Sequence, residues 1–116
     1  MARGMDIRER QTGNLTIVEL AGRLTVNDQP GLLKEAVASA VARGARNVLL
    51  DLSGVRYIDS TRLGELIAAH VTVTRQGGKL KLVGTPERIV ELLQMAGLDG
   101  IFERFATADE AARSLN

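Results

Sequence analysis

The stretch YIDSTRLGEL, residues 57–66, sets Asp59, Ser60, Thr61 and Arg62 side by side where an apolar run gives way to helical spacing. Two adjacent hydroxyls between an acid and a base admit three chemistries: an N-cap, a nucleophile, or a position where phosphate is added and removed. The plainest is the cap, in which Ser60 or Thr61 accepts from backbone N–H groups of the first turn. A cap needs one hydroxyl, and here there are two. A helix N-terminus also presents unpaired N–H groups and the positive end of the helix dipole, both suited to phosphate. A phosphate on Thr61 would bring about −1.5 to −2 units of charge and three acceptor oxygens. That is enough to reverse the electrostatics of a docking surface without refolding anything.

The remaining chemistry-bearing residues offer less. A Ser-His-Asp arrangement would need His70, which lies on the helix that starts near Thr61. Nine positions along that helix separate the two by roughly 13 Å, so the imidazole cannot reach the hydroxyl. His70 also falls on an apolar stripe and reads as a packing residue. Asp51 and Asp59 hint at metal-assisted phosphoryl transfer, and DLSGV has the outline of an Asp-x-Asp nucleophile motif, but Ser53 stands where the second acid belongs. Gly77-Gly78-Lys79 precedes a strand rather than a helix and lacks the following Ser/Thr, so it is a helix stop and not a phosphate-binding loop. Lys79 and Lys81 alternate with Leu80 and Leu82, the pattern of a solvated strand rim. No catalytic residue and no metal or cofactor site is assigned.

The totals narrow the function further. Fifteen basic residues stand against fourteen acidic ones in 116, and a single Tyr and two Phe are the only aromatics. That is no footprint for nucleic acid. With no cysteine, disulfides, thiolate nucleophiles and cysteine-ligated metals are excluded; one histidine makes a His-based metal cluster implausible. MARGMDIRER has no apolar leader, and no stretch approaches bilayer length, so the expectation is a soluble cytoplasmic protein without membrane insertion.

The elements that position Asp59–Arg62 follow from hydrophobic period and punctuation. Ile7–Arg10, a turn at QTGN (Gln11–Asn14) and the β-branched LTIVEL (Leu15–Leu20) predict strand, turn, strand. AGRLTVNDQPG is a loop in which Asn27 or Asp28 caps the next helix and Pro30 lies in its first turn. Leu32, Leu33, Ala36, Val37, Ala40 and Val41 form its stripe, which Gly44 ends. NVLLDL (Asn47–Leu52) is a continuous apolar run, the mark of a strand buried on both faces. Leu63, Leu66, Ile67, His70, Val71 and Thr74 predict a second helix, closed by Gly77-Gly78. KLKLVG (Lys79–Gly84) is a strand, and Thr85-Pro86-Glu87 starts a third helix with Thr85 as the cap. Ile89, Leu92, Leu93 and Ala96 give its buried face; Gly97-Leu98 stops it. IFERF is a short last strand, and Thr107 with Glu110 boxes the start of a final helix ending near Leu115. The sum is ββαβαβαβα over residues 1–116: one α/β domain, with a mostly parallel sheet and about four helices. In such sheets function gathers at the carboxyl ends of the strands, where Asp59–Arg62 falls.

LAGRL (Leu20–Leu24), NVLLDLSGVRYIDSTRLGEL (Asn47–Leu66), GGKLKLVG (Gly77–Gly84) and LLQMAGLDGIFERFATADEAARSL together resemble the STAS domain, the family of bacterial anti-sigma-factor antagonists and of cytoplasmic domains of sulfate transporters. The resemblance covers nearly the whole chain; the block D-L-S-x-V-x-x-I-D-S is its most specific part. It implies a non-enzymatic anti-sigma-factor antagonist that holds the anti-sigma factor when unphosphorylated and is switched off by phosphate at the helix start. The carried-over phosphorylation site is Thr61, with Ser60 as second choice. The carried-over partner surface is Thr25, Asp59, Ser60, Thr61, Arg62 and Glu65. The implied partner is an anti-sigma factor that is also a serine/threonine kinase and supplies the ATP site, with a phosphatase as a further partner.

Two positions depart from the family pattern. Arg62 replaces a glycine, and Thr25 replaces the acid of the Gly-x-Leu-Asp motif, here Gly22-Arg23-Leu24-Thr25. Both changes are expected to make the docking surface more basic. As a surface residue Arg62 would either neutralise a phosphate on Thr61 or serve as a permanent contact. The latter fits an alternative role: a constitutively docking scaffold or regulatory subunit of a stress-signalling assembly or a membrane transporter.

Overall fold

The apolar runs become the strands of one five-stranded sheet. A computed structural model describes residues 5–13, 15–24 and 31–115. In chain order its elements are β1 (Met5–Thr12), β2 (Leu15–Leu24), α1 (Leu32–Ala42), β3 (Asn47–Ile58), α2 (Ser60–Arg75), β4 (Leu80–Val83), α3 (Glu87–Met95), β5 (Arg104–Phe105) and α4 (Ala108–Arg113). The strands lie in sequence order; β1 pairs antiparallel with β2 and every later pairing is parallel. The α/β class and the order ββαβαβαβα are therefore as the sequence predicts.

Alternation divides the core between the two faces of the sheet. Val18 and Leu20 of β2, Val48, Leu50 and Leu52 of β3, and Leu80 and Leu82 of β4 pack against Leu33 and Val37 of α1, Leu66, Ala69 and Val73 of α2, and Ile89 and Leu93 of α3. On the other face Leu49 and Val83 meet Ala111 of α4, flanked by Phe105 and Leu115. Each of these Leu, Ile and Val side chains removed from water contributes about 1.5–3 kcal/mol. At the edges β1 is charged, with Arg10 paired to Glu19 at 3.3 Å and Glu9 to Arg43 at 2.5 Å, while β5 is two residues long.

Several boundaries differ from the sequence reading. β3 does not end at Leu52 but runs on to Ile58, because β2 also continues through Leu24 and pairs with it. IFERF forms strand only at Arg104–Phe105; Phe102 instead turns inward, with its ring edge-to-face on His70 at 5.4 Å. α2 buries Arg62, Leu66, Ala69 and Val73, and leaves Val71 and Thr74 exposed, so its inner face is rotated from the predicted stripe. Thr85 is not the cap of α3: Pro86 holds that position and no side chain caps it. In α3 Val90 is buried and Ala96 exposed. At the end of α3, Leu98 N–H closes onto Leu93 C=O at 2.8 Å with Gly97 at φ 73°, the glycine stop read from the sequence. Thr107 Oγ1 accepts from Glu110 N–H at 3.2 Å, as the capping box predicts.

Lys81 overturns the reading of a solvated rim. It is 2% exposed, sealed beneath α4. Its Nζ lies 2.9 Å from Glu103 Oε1, donates to Ser114 Oγ at 2.9 Å, and stands 5.1 Å from the Phe105 ring centroid. The alternation that put Lys81 outward in sequence places it on the α4 face, and α4 covers that part of the sheet. Hydrogen bonding and charge from Lys81 hold the Glu103 carboxyl below the usual glutamate range.

The two helices nearest the Asp59 turn are tied by one carboxylate, that of Glu65. Arg62 is fully buried, and its Nη1 pairs with Glu65 Oε2. The same carboxylate accepts from Gly31 N–H at 3.2 Å and Lys34 N–H at 3.3 Å, at the start of α1. Gly31 is the N-cap, left-handed at φ 85°, with no side-chain cap of its own. Glu65 thus caps α1 from a distance. The predicted caps Asn27 and Asp28, and Pro30, lie outside the described residues.

Two outcomes test these contacts. Glu65→Ala takes a charge partner from a buried guanidinium and uncaps α1, so urea denaturation should show a loss of about 3 kcal/mol. Arg62→Met, which fills the volume and leaves Glu65 on its two N–H groups, should cost clearly less; equal losses would refute this division of roles. Because the folded Glu103 pKa is depressed, its contribution is present above the unfolded value, near 4.3, and is lost as pH falls through the folded value. Glu103→Gln should therefore narrow the difference in urea midpoint between pH 7 and pH 3, by a small amount since the carboxylate is exposed.

Candidate functional site

The end of β3 hands the chain to α2 through one residue. Asp59 has extended backbone, φ −98° and ψ 176°, and its Oδ1 accepts from Arg62 N–H at 2.9 Å. The acid is therefore the N-cap, and neither Ser60 nor Thr61 is needed for that task. Both hydroxyl residues are exposed, at the first and second positions of the helix. No hydrogen bond from either hydroxyl is present among the described residues. The presence of two hydroxyls is thus not explained by capping: the first turn of α2 presents a pair of accessible side-chain oxygens at its positive end, with no acid in that turn.

Arg62 is a correction. The sequence reading places it on the surface as a partner contact or phosphate neutraliser; the structure puts its whole side chain inside, against Glu65. Position 62 faces α1 and the sheet, in line with Leu66, Ala69 and Val73. Its charge is met internally and adds little to the outer surface. Glu65, expected on the partner surface, is turned the same way, its side chain 12% exposed and occupied by α1. Thr25 lies outside the described residues. Of the expected partner-binding set, Asp59, Ser60 and Thr61 come together at the tip, while Arg62 and Glu65 form the joint beneath it.

The residues named for the competing chemistries are engaged elsewhere. Asp51 Oδ1 accepts from Ser53 N–H at 2.9 Å and from Ser53 Oγ at 2.7 Å, a local closure within β3. Among the described residues, no group of three or more His, Asp or Glu side chains is placed to hold a metal ion. His70, half-buried, packs edge-on against Phe102 with its Nδ1 out of solvent, as a packing histidine does. No helix among the described residues is long and apolar enough to cross a membrane. Sequence reasoning missed one feature beside the tip: Arg23 of β2 lies over the ring of Tyr57 of β3, 5.1 Å from its centroid. Strand alternation alone could not reveal it, because it depends on how β2 and β3 are paired.

Comparison with known proteins places the fold. The anti-sigma-B factor antagonist of Bacillus subtilis is 31% identical over 105 residues, covering 90% of this chain and 94% of that one. An anti-sigma factor antagonist from Mycobacterium paratuberculosis superimposes with a TM-score of 0.82 at 22% identity, covering 96% of this chain and 93% of that one. The anti-sigma factor antagonist SpoIIAA in its unphosphorylated form gives 0.78 at 16% identity, covering 92% and 93%. Its phosphorylated form gives 0.74 at 17%, covering 96% and 100%. The STAS domain profile matches residues 6–111. With that match along most of its length, the chain belongs to the STAS domain family.

Proposed function

We propose that this protein is an anti-sigma-factor antagonist, a binding module without a reaction of its own, that engages an anti-sigma factor through the tip of α2 and is released by phosphorylation of Thr61. One observation carries the reading: Asp59 takes the cap, which leaves Thr61 exposed at the positive end of a helix. A relative of like name at 31% identity, and a protein of the same fold described in both unphosphorylated and phosphorylated forms, support it. The kinase brings the nucleotide; this chain brings the hydroxyl.

The sign of the switch follows from charge. A phosphate at the first turn is favourable to the helix dipole, by roughly 0.3–1 kcal/mol, so it leaves α2 folded. It also adds about −1.5 to −2 charges at the surface a partner must approach. The core is built of Leu, Ile and Val and is not involved. Release is then an electrostatic event at the surface. Constitutive docking, the alternative reading, drew on Arg62 as a permanent surface contact. With that side chain buried, the alternative has lost the residue that favoured it.

The test uses purified anti-sigma factors with kinase domains from the same genome. Incubation with ATP should place one phosphate on Thr61, located by mass spectrometry and absent from Thr61→Ala. Thr61→Glu should bind at least tenfold more weakly than wild type by calorimetry, while Thr61→Ala binds and no longer responds to ATP. Equal affinity of wild type and Thr61→Glu would remove the switch from this position, and a phosphate mapped to Ser60 would move it by one residue.

A further inference from the structure

The last part of β3 abandons strand alternation. Its register with β2 slips twice: Glu19 pairs with Asp51 but Ala21 with Gly54, and Gly22 pairs with Val55 but Arg23 with Tyr57. At the second slip Arg56 has no counterpart on β2. A bulge of this kind bends a strand and re-aims its side chains. Here it turns two consecutive residues, Arg56 and Tyr57, into solvent between buried Val55 and Ile58. β4 stops at Val83, opposite Asp51, so this end of β3 is paired with β2 alone.

This ribbon displays two arginines and a tyrosine. Tyr57 is 39% exposed, with the Arg23 guanidinium over its ring. Arg23 and Arg56 are both exposed, and neither has a carboxylate partner among the described residues. The ribbon leads directly into Asp59, Ser60 and Thr61. The first turn of α2 holds no acid, and Glu65 farther along is engaged by Arg62. Arginine and tyrosine are the side chains that most often dominate binding energy at protein interfaces. A guanidinium already stacked on a ring gives up less freedom on binding.

We infer that Arg23, Tyr57 and Arg56 form a docking surface for an acidic patch on the protein partner, continuous with the Thr61 tip. This rests on the reading of that tip as partner-binding, and it names the partner's charge. Two guanidiniums with no carboxylate partner among the described residues outweigh the single Asp59 carboxylate that caps the helix, and the surplus attracts carboxylates. A dianion four residues beyond Tyr57 cancels that field and competes for the same arginines, so an acidic partner is expelled. A basic partner would be drawn in by the same phosphate. The sign of the surface therefore determines that phosphorylation releases the partner and does not recruit it.

The experiment measures association and dissociation rates with the purified anti-sigma factor at low and physiological salt. Arg23→Glu/Arg56→Glu should associate tenfold or more slowly than wild type at low salt, with a flattened salt dependence. Tyr57→Ala should leave association nearly unchanged and speed dissociation. Arg23→Lys should do the same, since an ammonium keeps the charge but not the planar stack. Arg75→Glu, an exposed reversal at the far end of α2, is the control expected to match wild type, and circular dichroism verifies that each variant is folded. Wild-type rates in the double reversal, alongside lost binding in Thr61→Glu, would overturn the docking surface and leave the phosphate switch standing. Faster association of the double reversal would show a basic facing patch and overturn it as well. A wild-type protein that binds none of the anti-sigma factors would remove both readings together.

Discussion

A guanidinium out of contact with water must be met by an opposite charge, and around Arg62 that requirement organises the functional end of the molecule. Removing one partner of a buried ion pair is far more costly than never having had the pair, commonly about 3–5 kcal/mol. Glu65 meets the charge, and with the same carboxylate it accepts the N–H groups of Gly31 and Lys34. One acid therefore serves two helices. α1 cannot shift against α2 without breaking the two hydrogen bonds from Gly31 N–H and Lys34 N–H to the carboxylate that also pairs with Arg62. The tip that carries Ser60 and Thr61 thus stands on a fixed joint.

That arrangement separates what is held from what is displayed. Beneath the tip, residues 62, 66, 69 and 73 of α2 are packed; above it, residues 60 and 61 are open to solvent. The division is possible because Asp59 performs the capping and releases the hydroxyls from structural duty. A charge placed on an exposed oxygen then alters the field around the tip and leaves the packing untouched. Arg23 and Arg56, set outward by the bulge in β3, give that field its starting sign.

Much of this was legible in the sequence, for identifiable reasons. NVLLDL shows its two-sided burial as an unbroken apolar run. Gly97-Leu98 and Thr107 with Glu110 are local signals whose partners lie within a few residues, so no tertiary knowledge is needed. The position of Asp59–Thr61 at a helix start follows from the same local logic. What escaped depends on contacts distant in the chain. A charged residue at position 62 reads as outward-facing unless Glu65 and the start of α1 are known to surround it. Lys81 fits an alternating rim until α4, some thirty residues later, is laid over it. The bulge at Arg56 exists only in the pairing of β3 with β2. Local punctuation survives in sequence; long-range compensation of charge and register does not.

The two margins of the sheet carry a last consequence. An open strand edge invites another chain to add itself by backbone hydrogen bonds. β1 lines its margin with charged side chains tied into ion pairs, and β5 is too short to template an incoming strand. Annexation of a foreign strand is thereby discouraged on both sides. On the proposed reading, recognition is left to side-chain chemistry at one corner, where a single added group would veto it.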